Sequence, residues 1–263
     1  MEEQDKVLEE QDKVFMPVRV STFDTLIERG GIERGSTILL SGGCGVGKTI
    51  FALQSVYNGA LNNEKSVYIT LAEDPEKIKK HAKMNFGWDV DAMEKSNMLK
   101  IIKMDPFEVA NDISSIMVTS EDRSLSRTFN SNGDVSLLDS KRLKLPFQPD
   151  RIIVDSLSAL SSTFSSQENY RMYFQVLIDA LNKHNSVNFL ISELEQEPNN
   201  YIETGVEEFL VDGVVVMYGI RKGQLRRHAI EILKLRCSDH VKEMVPYMIT
   251  GEGIKLHIGE KIL

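Results

Sequence analysis

Cysteine, tryptophan and proline are scarce: 263 residues contain two Cys (Cys44 and Cys237), one Trp and seven Pro. Two cysteines are too few for a disulfide framework or a cysteine-built metal cluster. No apolar run reaches the ~18 residues of a membrane-spanning helix, and none opens the chain as a secretory signal would. The expectation is a cytoplasmic protein without a membrane span. Basic residues are also in deficit, with 31 Lys and Arg against 39 Asp and Glu, a formal net charge of −8. A surface that coats nucleic acid non-specifically carries the opposite balance. Apolar residues (41%) and charged residues (27%) are present in ordinary amounts, which excludes collagen-like and wholly disordered chains. The length suits one large domain or two small ones.

The N-terminus duplicates a heptad. Glu2–Leu8 recurs as Glu9–Phe15 with a change only at the last position. Two copies do not support a coiled coil, so residues 1–16 read as a polar leader, or as an arm docked on a neighbouring subunit. A single domain then spans residues 17–263. Within it, apolar and β-branched runs at Thr37–Leu40, Ser66–Leu71, Leu99–Ile102, Arg151–Asp155 and Val187–Glu193 read as strands. They alternate with helical patterns after Gly47, after Asp74-Pro75, over Pro106–Met117 and over Tyr170–Asn185. Val211–Ile220 and Leu225–Arg236 read as a hairpin, followed by short strands at Tyr247–Thr250 and Gly253–His257. Thr119–Pro149, rich in Ser, Asn, Asp and Arg, reads as an insertion or mobile loop. The fold class is α/β, with a mostly parallel central sheet flanked by helices and a C-terminal antiparallel extension.

Gly42 opens the run Gly43, Cys44, Gly45, Val46, Gly47, Lys48, Thr49 and Ile50, which fits Gly-x4-Gly-Lys-Thr between a strand and a helix. Glycines let backbone N–H groups approach phosphate oxygens, and the following helix brings the positive end of its dipole to the same point. Lys48 supplies a charge for the β- and γ-phosphates, and the Thr49 hydroxyl is a Mg²⁺ ligand. Cys44, in this loop, is either a tolerated small side chain or a redox-sensitive thiol. Asp155 ends an apolar strand and is the second metal-site acid, unless it only caps the next turn. A carboxylate must also orient the attacking water. Glu73 and Asp74 both follow a strand, but Asp74 is explained as the cap before Pro75, so Glu73 is the candidate base.

These residues resemble the KaiC-like branch of the RecA superfamily of P-loop ATPases, over about Arg19–His257. The resemblance rests on Arg19–Asp24 with Gly30-Gly31, the loop ending Gly47-Lys48-Thr49, Tyr68–Pro75, Phe86–Asp89 and Asp155–Ala159. Val206–Phe209, Val211-Asp212 and, most specifically, Lys234-Leu235-Arg236 complete it. Single-domain archaeal KaiC-like proteins are the nearest likeness. The resemblance implies a RecA-like fold, ATP as the nucleotide, and a homo-oligomeric, commonly hexameric ring with nucleotide between subunits. It implies that Lys234 and Arg236 reach the γ-phosphate of a neighbour's nucleotide, with Leu235 near the base. Ser238 and His240 match further contacts, and Thr250 matches a polar residue near the ribose. Taken alone, Lys234 and Arg236 also fit a solvated basic strand face. The family usually has two adjacent glutamates at the catalytic position, and here the first is Ala72. Cys237 stands where glycine or another residue is common, and Gly251 stands where an acid is often seen. Only one copy of the domain is recognisable, so a clock role known from tandem members is not implied.

The leading expectation is an ATP-binding, ATP-hydrolysing ring that works as a switch or motor on a protein partner. A recombinase-like single-stranded DNA binder is the alternative, with Arg221, Lys222, Arg226 and Arg227 as the compact basic cluster. It is disfavoured because the Glu195–Tyr201 loop is acidic and has a single aromatic ring, whereas DNA channels use cations and stacking platforms. An autokinase and a nucleotide-binding scaffold with little turnover complete the set.

Overall fold

The computed structural model describes residues 14–110, 145–164, 167–193 and 206–260. In chain order the elements are β1 (Phe15–Met16), β2 (Ile32–Glu33), β3 (Thr37–Gly42), α1 (Lys48–Leu61), β4 (Ser66–Thr70), α2 (Pro75–Phe86), α3 (Val90–Lys95) and β5 (Leu99–Lys103). They continue with β6 (Arg151–Asp155), α4 (Leu157–Ser161), α5 (Gln167–Asn182), β7 (Val187–Ser192), α6 (Val206–Leu210), β8 (Gly213–Lys222), β9 (Leu225–Leu235), β10 (Val245–Thr250) and β11 (Gly253–Leu256).

Nine of these strands form one sheet in the order β11-β10-β9-β8-β3-β7-β6-β4-β5. From β8 to β5 every neighbouring pair is parallel, and β8, β9, β10 and β11 pair antiparallel in sequence. The central strands β3, β4, β6 and β7 are buried almost end to end and mostly apolar because both faces are covered. Ile38, Leu40, Tyr68, Ile153 and Phe189 face one core cluster with α1, while Leu39, Val67, Ile152, Val154 and Leu190 face the other with α5. This alternation follows from the two-residue repeat of a strand. The sheet is RecA-like, as expected, including its antiparallel extension.

Local chemistry sets the helix ends. Asp74 caps α2, its Oδ1 accepting from Glu76 N at 2.8 Å, with Pro75 at the first position. Gly87 closes the same helix in the left-handed region, φ 72°. The expected helix after Pro106 is described only over residues 106–110. Most of the 119–149 segment, the Glu195–Tyr201 loop and residues 1–13 of the heptad duplication lie outside the described residues. Phe15 and Met16, the end of the expected leader, pair with Glu33 and Ile32.

A buried cation ties this N-terminal segment to the sheet. Arg151 is 0% exposed. Its Nη1 donates to Ser55 O at 2.6 Å, and its Nη2 to Pro17 O at 2.7 Å and Glu64 Oε2 at 3.1 Å. Glu64 also pairs with Arg19 at 2.6 Å. Arg151→Met would fill most of the volume but leave the Ser55 and Pro17 carbonyls without these donors. The expected loss is ~3–5 kcal/mol, read as a lower urea midpoint at unchanged slope.

Candidate functional site

The loop between β3 and α1 is shaped by its neighbours. A Cβ on Gly42 would lie 2.2 Å from Met217 O, and Gly42 has φ 152°. Gly47 has φ 97°, and a Cβ there would lie 2.8 Å from Ile249 Cδ1. Gly47, the Ncap residue of α1, has no side chain to cap the helix, so its first-turn N–H groups lack the usual capping acceptor. Arg226 Nη2 donates to Cys44 O at 3.2 Å, and the Tyr247 hydroxyl donates to Val46 O, holding the outer curve of the loop. Cys44 itself is exposed.

Lys48 is buried, and its Nζ donates to Gly42 O at 2.8 Å and Gly43 O at 2.9 Å. Burial pushes its pKa down, opposed by the charges of Glu193 and Asp155. Thr49 Oγ1 donates to Asp155 Oδ2 at 2.8 Å, and the Tyr68 hydroxyl donates to the same oxygen. Burial raises the Asp155 pKa, against these two hydrogen bonds and the Lys48 charge. The Asp155–Ser156 peptide bond is cis. Lys48, Thr49 and Asp155 thus meet at one point, the N-terminus of α1.

Parallel pairing places other acids on the same sheet edge. Thr70 stands opposite Asp155, and Leu71 N donates to Asp155 O at 2.7 Å. Glu73, two residues on, is held by its backbone to Thr70 Oγ1, and its carboxylate pairs with Lys77 at 3.3 Å. Ala72 beside it is exposed. Glu193 follows β7, which runs between β3 and β6 with Ser192 opposite Ser41 and Ile191 opposite Asp155. The sequence reading gave Glu193 no role. The available signal was an acid directly after a mostly apolar strand, close to the pattern that singled out Asp155.

Lys234 and Arg236 lie elsewhere. β9 runs antiparallel to β8, with Leu235 opposite Gly213, which in turn stands opposite Ile38 of β3. The phosphate loop leaves from Gly42, opposite Met217. Four residues of strand, about 13 Å, separate these two levels, so both cations sit at the far edge of the sheet from their own loop. Lys234 Nζ donates to Glu208 O at 3.1 Å and Val211 O at 2.7 Å, at the end of α6. Arg236 Nη1 pairs with Asp212 Oδ1 at 3.1 Å. Ser238 accepts from Arg29 N at 3.3 Å and His240 bridges to Ile27, both at this far edge. Cys237 has φ 65°, the left-handed region that favours glycine. Thr250 returns to the loop's edge: it ends β10, next to the Ile249 that packs on Gly47, and its Oγ1 donates to Gly253 O at 3.0 Å.

The basic cluster of the β8–β9 hairpin divides. Arg226 turns to the phosphate loop, and Arg221 Nε donates to Gly223 O at 3.4 Å. Among the described residues, no three His, Cys, Asp or Glu side chains gather as a metal site. The oxygen pair Thr49 and Asp155 fits a hard cation that takes its remaining ligands from phosphate and water. Among the described residues no helix is long and apolar enough to cross a membrane.

A family model described as "ATPase: KaiC" matches residues 16–261. The chain belongs to the KaiC family of P-loop ATPases. Circadian clock oscillator protein KaiC of Parathermosynechococcus lividus is 32% identical over 234 residues, covering 88% of this chain and 40% of that protein. The KaiC of Acaryochloris marina is 31% identical over 242 residues, 90% of this chain and 43% of its own. The chain spans about two fifths of the length of these KaiC relatives. A crystal structure of a KaiC-like protein from the archaeon Pyrococcus horikoshii OT3 superposes with TM-score 0.70 at 25% identity, covering 92% of this chain and 98% of that one.

Proposed function

We propose that this KaiC-family chain binds ATP with Mg²⁺ and hydrolyses it in a ring of identical subunits, as a switch acting on a protein partner. The convergence of Lys48, Thr49 and Asp155 on the uncapped start of α1 carries this reading. Backbone N–H groups and Lys48 would hold the phosphates. Thr49 and Asp155 would hold Mg²⁺, which supplies charge neutralisation at the transferring phosphoryl group. Glu73 would orient water from the adjacent strand end. Its pairing with Lys77 is exposed and worth at most about 1 kcal/mol, so it does not hold the carboxylate back. The far-edge placement of Lys234 and Arg236 supports the ring: neither reaches its own loop, and the exposed Arg236 is placed to meet that of a neighbour.

The test is ATP turnover measured beside native mass spectrometry. Glu73→Gln is expected to lower turnover by ~10²–10⁴-fold while leaving nucleotide binding intact. A protein that stays monomeric and inert with MgATP would sink the proposal. Tight binding without turnover in the wild type would favour the scaffold reading, for which the exposed Ala72 is the motive.

A further inference from the structure

We propose that Tyr68 is a positioning residue, whose hydroxyl fixes the Asp155 carboxylate so that one oxygen is left to face the nucleotide-bound cation. This rests on the reading that the site takes MgATP.

Tyr68 is 0% exposed and packs in the core cluster with Ile38, Ile153, Phe189 and Phe51. It stands opposite Ile153, two residues before Asp155, on the sheet face that α1 covers. From there its hydroxyl reaches Asp155 Oδ2. Thr49 Oγ1, from the first turn of α1, donates to that same oxygen at 2.8 Å. Two donors from different elements on one carboxylate oxygen set the rotation of the group.

The division of protons matters. A threonine hydroxyl has one proton and two lone pairs. Thr49 gives its proton to Oδ2 and keeps lone pairs for a cation. Asp155 Oδ1 is left as the acceptor for cation-bound water. Phenylalanine would fill the same space as Tyr68, so a hydroxyl in this apolar layer is there for its hydrogen bond. Groups that orient metal-site ligands in this way typically change metal affinity by ~10–100-fold when removed.

The experiment follows binding of a fluorescent ATP analogue, mant-ATP, as Mg²⁺ is titrated, and repeats it in EDTA. Tyr68→Phe is expected to raise the half-saturating Mg²⁺ about tenfold, with binding in EDTA within about twofold of wild type. In an Asp155→Asn background the same change should have no further effect on the Mg²⁺ midpoint. An unchanged midpoint overturns the proposal, as does an equal loss with and without Mg²⁺. A Tyr68→Phe chain that does not fold also overturns it, because the hydroxyl then serves stability. Wild-type protein that binds no mant-ATP at any Mg²⁺ concentration overturns the nucleotide reading itself, and with it this one.

Discussion

Lys48→Ala is expected to abolish measurable MgATP binding and to leave the fold at least as stable as before. The two effects have one cause. Lys48 is buried with its charge on two backbone carbonyls, Gly42 O and Gly43 O. Burial lowers its pKa, so the folded state binds its proton less readily than the unfolded chain. The charged form therefore costs folding free energy below the unfolded pKa, and that cost fades as pH rises towards it. Alanine removes the cost together with the phosphate ligand, the trade-off between stability and activity seen at many active sites. Losing such a donor should weaken phosphate stabilisation by ~10²–10³-fold. Thermal melts with and without MgATP decide it: a ligand-induced rise for wild type, none for Lys48→Ala, and a ligand-free midpoint no lower than wild type. A ligand-induced rise in the variant would mean that the nucleotide is held elsewhere.

The second large effect concerns Arg236. Arg236→Ala is expected to cut turnover by ~10³-fold or more, the range for an arginine supplied in trans, while Lys48 and its loop still bind nucleotide. Mixing gives the sharper test. Rings assembled from Lys48→Ala and Arg236→Ala subunits contain interfaces where an intact loop meets an intact arginine. Such mixtures should regain part of the wild-type turnover, although each variant alone is inactive. Mixed rings, verified by native mass spectrometry, that stay inactive would rule out the trans arginine.

Much of this was legible in the sequence because it is local. Gly42 to Thr49 is one continuous motif, Asp74-Pro75 caps its own helix, and Asp155 ends its own apolar strand. The short helices α3, α4 and α6 were not expected. At five or six residues each, they are too short for the 3.6-residue periodicity to show. Contacts between distant residues were equally out of reach. Tyr68 reads as one more aromatic in a strand until parallel pairing brings Asp155 beside it, 87 residues later. Arg226 reads as part of a basic hairpin tip until the fold turns it to Cys44, 182 residues away. The resemblance singled out Lys234 and Arg236. That they lie opposite their own loop follows from the antiparallel sense of β9, which the hairpin reading contained without the register.

The two cations of that segment are held with unequal force. Arg236 is 56% exposed, and its pair with Asp212 is worth at most about 1 kcal/mol. Letting go costs no more than a fivefold drop in population. Lys234 is half-buried and closes off two carbonyls at the end of α6, with Val211 O at 2.7 Å. Withdrawing it would strip a helix end of its terminal partner. Of two neighbouring positive charges, the arginine is therefore the one at liberty to swing outward, and the lysine is the pivot on which it swings.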